Sequence, residues 1–281
     1  MKTDIAAWLN DLRLRLISVS ETPALDAQVL LAHTLQVNKA WLAAHRDEEI
    51  RTDILPALEE KIQNLENGIP LPYVIGEWEF FGLPFYVNPA VLIPRPETEL
   101  LVEQAIHWLE CHPGDKNALD AGTGTGCIPI SICKNFPGCN WLATDISPSA
   151  LEVAAQNISR HQLETFISLR EADVLDGVQG NFDLVCSNPP YIPTGVYQTL
   201  AVSRYEPSLA LDGGSDGLIM IRKLLEQAAS VINSPGLILC EIEESQGDKV
   251  LAMTKAYYPH ASIQVLQDLA GKPRLLQIEV D

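Results

Sequence analysis

From about residue 117 to residue 280, short apolar stretches of strand character alternate with helical stretches, and this alternation restricts the fold more than any other feature. Candidate strands are 117–121, 140–144, 167–171, 182–187, 236–241, 262–267 and 275–280, with helices near 126–135, 148–161, 217–232 and 246–258. The pattern predicts an α/β fold, a doubly wound sheet of seven strands. Only 268–273 separates the last two strands, too short for a crossover helix, so these two are expected to pair antiparallel.

Between the first strand and the first helix stands Asp120-Ala121-Gly122-Thr123-Gly124-Thr125-Gly126. The chain must turn sharply here, and a ligand approaching the backbone must meet no Cβ. A glycine run alone also suits a plain structural turn. Its spacing is GxGxG, and the third glycine of a dinucleotide loop would fall at position 127, where this chain has Cys127. The second strand ends at Asp145, some 20 residues after the loop, where a carboxylate can accept hydrogen bonds from both ribose hydroxyls. After the third strand, Glu171-Ala172-Asp173-Val174 offers an acid for an adenine amino group. A glycine loop with no pyrophosphate grip, followed by these acids, suits S-adenosylmethionine better than a nicotinamide or flavin cofactor.

The fourth strand runs into Asn188-Pro189-Pro190-Tyr191. Two prolines fix φ and remove donors, leaving outward-facing carbonyls in a rigid turn. An ordinary strand-ending turn also uses Asn and Pro as breakers, but this tetrapeptide at this strand end is a far narrower pattern. Its chemistry fits a planar NH2 group, in an amide or on an adenine ring. Such a nitrogen is a poor nucleophile and carries two hydrogens, which the Asn188 side-chain carbonyl and the Pro189 backbone carbonyl can accept. The same acceptors favour the positive charge that develops on nitrogen as its lone pair is aimed at a sulfonium methyl. Tyr191 is expected to pack flat against the planar group.

Ahead of the alternating region, residues 1–67 read as helices. Ile5, Trp8, Leu9, Leu12 and Leu16 form one stripe, and Thr22-Pro23 reads as an N-cap with proline at the first helical position. Trp41 and Leu42 predict a short third helix, and Thr52 is expected to cap a last one carrying Leu55, Leu58, Ile62 and Leu65, stopped at Asn67-Gly68. Prolines and glycines then punctuate β-prone segments, with a hairpin expected between 78–81 and 84–87 around Gly82-Leu83 and a helix over about 97–110. The expected division is a small all-α bundle over 1–75, a β-hairpin linker over 76–97 and the α/β domain over 98–281.

The formal charge is −18, and residues 76–281 carry 12 basic against 26 acidic side chains. A protein that holds a nucleic-acid duplex clusters Lys and Arg against phosphates; here the basic residues are scattered, so no direct nucleic-acid partner is expected. No apolar run approaches the roughly 20 residues that span a bilayer, and no signal-peptide stretch opens the chain, so a cytoplasmic protein with no membrane partner is expected. The six cysteines form no CxxC pair and the six histidines no HExxH, so no metal site is expected.

With these residues in hand, the chain resembles the HemK/PrmC family of protein-(glutamine-N5) methyltransferases over essentially its whole length. The resemblance is carried by Val91-Leu92-Ile93-Pro94-Arg95-Pro96-Glu97-Thr98-Glu99, the loop at 122–126, Asn188-Pro189-Pro190-Tyr191, Tyr205-Glu206-Pro207 and the segment Leu211-Asp212-Gly213-Gly214-x-Asp216-Gly217. It implies a class I (Rossmann-like) methyltransferase sheet and S-adenosylmethionine as cofactor. The implied substrate is the glutamine of the Gly-Gly-Gln motif in bacterial peptide chain release factors. Implied cofactor contacts are Gly122, Thr123, Gly124, Thr125, Gly126, Asp145, Asp173, Val174 and Asn188. Implied substrate contacts are Asn188, Pro189, Pro190 and Tyr191, with Asn188, Pro189 and Tyr191 catalytic. Arg95, Glu97 and Glu206 are expected either to organise the entrance to the site or to serve structure alone, and the helical bundle to recognise the protein substrate. A monomer is the default. Two departures from the family pattern stand out. Pro129 falls early in the helix after the glycine loop, where no intrahelical bond is lost, and Val174 stands where relatives often carry an aromatic residue.

Three other readings use the same residues: glutamine methylation of another protein such as a ribosomal protein, adenine-N6 methylation of an extruded base, and a non-catalytic cofactor-binding module. The charge weighs against the second. The joint presence of the glycine loop, Asp145 and Asn188 weighs against the third.

Overall fold

The stripe Ile5, Trp8, Leu12 and Leu16 is fully buried in the computed structural model, which describes residues 4–281. By its internal contacts the chain divides into two units, Met1–Glu77 and Trp78–Asp281. In the first, α1 (Ile5–Leu16) starts at Asp4, whose side chain accepts from the Ala7 amide at 2.7 Å. α2 (Pro23–Leu35) has Pro23 in its first turn, but the Thr22 hydroxyl donates to Asp26 and caps no helix amide. α3 (Lys39–Ala44) is the expected short helix. α4 (Leu55–Glu66) begins three residues after Thr52, because Thr52–Ile54 form a 3-10 turn of their own. Arg15 of α1 reaches α4, pairing with Glu59 at 2.8 Å and Glu66 at 2.7 Å. A fifth helix, α5 (Leu71–Ile75), lies where the sequence reads as punctuated linker. Pro70 and Pro72 are not breakers there; they stand at the helix start, where no amide is missed.

The hairpin pairs β1 (Glu77–Phe80) with β2 (Leu83–Tyr86). Its turn is Phe81-Gly82, one residue earlier than expected, with φ of 52° and 72°. Two left-handed residues are what a tight turn between right-twisted strands needs. Phe81 has no intrinsic preference for that conformation, and Glu99 fixes it by accepting from the Phe81 amide at 3.0 Å.

After a 3-10 turn at Pro96–Thr98 come α6 (Glu99–Cys111), β3 (Lys116–Ala121), α7 (Cys127–Asn135), β4 (Cys139–Asp145) and α8 (Pro148–Arg160). They are followed by β5 (Ile167–Glu171), β6 (Phe182–Ser187), α9 (Thr194–Tyr197), α10 (Ile219–Ala228), β7 (Ile232–Glu241), α11 (Gly247–Tyr257), β8 (Ser262–Gln267) and β9 (Pro273–Val280). The seven-stranded sheet has the order β5-β4-β3-β6-β7-β9-β8, parallel except for β9, which runs antiparallel to both neighbours. The expected fold class is the one observed. Central strands are apolar on both faces, as a parallel sheet covered by helices requires. Leu184, Leu237 and Leu239 meet Leu101, Val102 and Ile128 on one side, while Val185, Ile238 and Cys240 meet Leu224, Leu225 and Val250 on the other. Pro129 sits in the first turn of α7 and leaves the helix intact. Among the described residues no helix is long and apolar enough to cross a membrane.

From β3 the chain proceeds outward on one side to β4 and β5, then returns to β6 on the other side of β3. The carboxyl ends of β3 and β6 therefore flank the point where the order reverses, the usual place for a ligand crevice in an open α/β sheet. Ala121 of β3 is level with Thr144 of β4 and Ser187 of β6, so three loops start side by side.

Candidate active site

The loop after β3 holds its shape through the neighbouring strand. The amides of Gly122 and Thr123 both donate to the Thr144 carbonyl, at 2.9 and 2.8 Å, and the Gly124 amide donates to an Asp145 carboxylate oxygen at 2.9 Å. Gly122, Gly124 and Gly126 have φ of 75°, 53° and 78°, which is why glycine recurs at every second position. The other Asp145 oxygen accepts from the Ser147 amide at 2.9 Å. Both oxygens are thus held by backbone amides at a half-buried site. Burial pushes the Asp145 carboxyl upward, against the pull of these backbone amides. Asn157, fully buried, donates to the Thr125 carbonyl at 2.9 Å and pairs with the Tyr86 backbone through 2.7 and 3.1 Å bonds, so the hairpin braces the loop.

Next to this loop the Ser187 hydroxyl donates to the Ala121 carbonyl at 2.7 Å, tying β6 to β3 where Asn188 begins. The Asn188 side-chain NH2 donates to the Thr98 hydroxyl at 3.0 Å, and that hydroxyl donates to Glu241 at 2.6 Å. Tyr191 donates its own hydroxyl to the second Glu241 oxygen at 3.2 Å. The turn is backed by a glycine-rich segment. A Cβ at Gly213 would lie 2.7 Å from the Pro190 carbonyl oxygen and 2.8 Å from the Tyr191 Cα, so only glycine lets the two backbones meet. Gln246 donates to the carbonyls of Tyr191 and Gly217, at 3.0 and 3.1 Å. Arg95 pairs with the buried Glu206, which also accepts from the Ile93 amide at 3.3 Å, fastening the segment before α6 to the segment after α9.

These features enclose one hollow of about 1050 Å³ counted to its open mouth. Gly122, Thr123, Gly124, Thr125, Asp145, Asp173, Val174, Asn188, Pro189 and Pro190 all line it, as do Arg95 and Thr98. Gly126 and Tyr191 stand back from it. Gly126 opens α7. Tyr191 packs against the apolar layer that includes α10, with its hydroxyl on Glu241. Asp173 reaches the hollow with one oxygen already held by Lys223 at 2.7 Å. Glu97 is exposed and outside the lining, and acts on Glu241 only through its charge. Neither Glu241 nor Gln246 stands in a local motif of the sequence, and Thr98 does so only within the stretch 91–99.

Residues 97–204 match the family described as the Methyltransferase small domain, and residues 7–76 match the PrmC N-terminal domain. A release factor glutamine methyltransferase of Moorella thermoacetica is 39% identical over 257 residues, covering 90% of each chain. One of Koribacter versatilis is 36% identical over 276 residues, covering 95% of each. The chain belongs to the release factor glutamine methyltransferase family. A solved methyltransferase of Pyrococcus furiosus, 23% identical with a TM-score of 0.51 over 71% of this chain and 90% of that one, shares the fold.

One buried residue of β3 is costly to the fold. Asp120, the last residue but one of β3, is fully buried, and neither carboxylate oxygen meets a well-formed hydrogen-bond partner among the described residues. Burial pushes its carboxyl up to about 7, only partly offset by the Thr123 hydroxyl. Because the folded pKa lies above the unfolded one, this group's contribution is fully present below about pH 4 and is lost as pH rises toward 7. A shift of some 3 units corresponds to roughly 4 kcal/mol at most. Asp120→Asn is therefore expected to be more stable than the parent at pH 8, by ~1–3 kcal/mol, and about equal to it at pH 4. Denaturant unfolding at both pH values checks this; an unchanged difference between the two would count against it.

Proposed function

We propose that this chain transfers a methyl group from S-adenosylmethionine to the side-chain nitrogen of the glutamine in the Gly-Gly-Gln motif of peptide chain release factors. The observation that carries the reading is that one hollow is shared by the glycine loop, Asp145 and the Asn188–Pro190 turn. The family relatives are named for glutamine methylation of release factors, which supports the choice of acceptor.

The residues fit the cofactor. The two preset oxygens of Asp145 suit a ribose diol. Val174 and Asp173 are assigned to the adenine end. When bound, the cofactor supplies a methyl group open to displacement by a nitrogen lone pair. The protein's part is to seat the amide. Asn188 Oδ1 and the Pro189 carbonyl each accept one N–H of the glutamine NH2, with Pro190 beside them in the wall. Two acceptors on one nitrogen draw it away from conjugation with its carbonyl and stabilise the positive charge that grows on it. The turn is rigid, so this arrangement exists before the substrate arrives. Tyr191 serves the reaction from behind, through Glu241. The helical bundle over 1–75 is assigned to holding the protein substrate, the 76–97 hairpin to joining the parts, and 98–281 to the chemistry.

Purified protein incubated with methyl-labelled cofactor and a release factor is expected to label the factor, and Gln→Ala within Gly-Gly-Gln to abolish the label. Labelling that persists on that mutant factor, or label that never appears on any release factor, would overturn the reading.

A further inference from the structure

We propose that Thr98 and Glu241 are positioning residues that fix which way the Asn188 amide faces, presenting its oxygen and not its NH2 to the substrate nitrogen. This rests on the assignment of Asn188 as an acceptor for the substrate NH2. An asparagine amide has nearly the same shape in two orientations related by a flip, and only one of them accepts. A hydroxyl has one proton. Thr98 gives its proton to Glu241 at 2.6 Å, so toward Asn188 it can only accept. The Asn188 group facing it, 3.0 Å away, must be the NH2, and Oδ1 is left for the hollow. The flipped amide would set an oxygen against a hydroxyl with no proton left to share, in a place where Thr98 and Glu241 are 2% and 1% exposed and water cannot substitute.

The relay spans three parts of the unit that holds it: the 3-10 turn before α6, the end of β6 and the end of β7. Ser187 is level with Cys240, so Asn188 and Glu241 leave adjacent strands together. Tyr191 saturates the remaining Glu241 oxygen from the same turn that carries Asn188. Both oxygens are then engaged by donors, which an ionised carboxylate accepts. A protonated carboxyl would instead offer a proton to Thr98, freeing the Thr98 hydroxyl to donate toward Asn188 and admit the flipped amide.

Burial pushes the Glu241 carboxyl up to about 7, against the hydrogen bonds from Thr98 and Tyr191 and the charge of Arg274, while Glu97 raises it further. Tyr191 faces it from the end of β6, Arg274 from β9 and Glu97 from the turn before α6; Cys240 on its own strand and Cys127 of α7 are buried thiols pushed upward. Burial also pushes the Tyr191 hydroxyl upward, as it does both thiols. Turnover should therefore fall as pH drops below about 7, with cofactor affinity changing little.

The test is single-turnover methylation of a release factor from pH 5.5 to 9, with calorimetric cofactor affinity, for the parent, Thr98→Val, Thr98→Ser, Glu241→Gln and Asn188→Ala. Thr98→Val is expected to slow transfer about 10- to 100-fold with cofactor affinity within about twofold, and Thr98→Ser to recover most of that loss. Glu241→Gln is expected to be slower and to lose the pH dependence near 7. Transfer by Thr98→Val at the parental rate overturns the proposal, as does Thr98→Ser equal to Thr98→Val. If Thr98→Val fails to fold, a parental pH profile in Glu241→Gln overturns it instead. Should Asn188→Ala transfer normally, the underlying acceptor assignment fails; an inactive Asn188→Ala beside a normal Thr98→Val defeats the relay alone.

Discussion

Asn188→Ala is expected to lower the rate of methyl transfer about 10²- to 10³-fold while leaving cofactor affinity within about twofold. The asymmetry follows from where the side chain is tied. Among the described residues its side chain is tied through its NH2 to Thr98, and its oxygen is the group left for the hollow. The glycine loop and Asp145 are braced by β4, Ser147 and Asn157, none of which depends on Asn188. Removing an acceptor that meets charge developing in the transition state costs rate and not ground-state binding. Asn188→Asp is expected to do little better, although it keeps an oxygen in the hollow. Its second oxygen would face the Thr98 hydroxyl, whose proton already belongs to Glu241, and would place a second carboxylate near a buried one. Single-turnover rates with labelled cofactor, beside calorimetric titration of the cofactor alone, separate the two effects. A rate within threefold of the parent for Asn188→Ala would remove Asn188 from the chemistry.

Local signals were legible where a residue's role is set by its neighbours in the chain. The strands β5, β6 and β8 have the expected bounds because short β-prone runs flanked by turn residues mark strands, whether buried like β6 or at a sheet edge like β5 and β8. The glycine loop, Asp145 and the Asn188–Pro190 turn were legible for the same reason: each sits at a strand end that the βα alternation already locates. Other features depend on partners far away in sequence. Thr98 meets Glu241 across 143 residues and Asn188 across 90, so no window contains the relay. The hairpin turn shifted by one residue because Glu99 stabilises Phe81 in a conformation its own propensity disfavours. Helix α5 was hidden by Pro70 and Pro72, which interrupt a helix interior but not its first turn. Tyr191 reads as an aromatic surface until Glu241 is seen to claim its hydroxyl.

For Asp145 the expected outcome is opposite in kind: Asp145→Ala weakens cofactor binding about 100-fold, and Asp145→Asn nearly as much. Two hydrogen bonds from a ribose diol to a carboxylate are worth roughly 3 kcal/mol together, and about 1.4 kcal/mol is a tenfold change in affinity. The asparagine result is the sharper test, because at most sites an amide retains half of a carboxylate's acceptor capacity. Here each oxygen already receives a backbone amide, Gly124 on one and Ser147 on the other. Whichever way an asparagine turns, its NH2 meets an N–H, so one of those bonds becomes a clash of donors. At Gly124 that loosens the loop which the cofactor must enter; at Ser147 it loosens the start of α8. The variant thus loses a ribose acceptor and the shape of the site together. Calorimetry on Asp145→Asn and Asp145→Ala, with transfer rates measured at saturating cofactor, reads this out. Asparagine binding the cofactor like the parent would mean that the Asp145 oxygens are set for the loop alone, and that the ribose is held elsewhere.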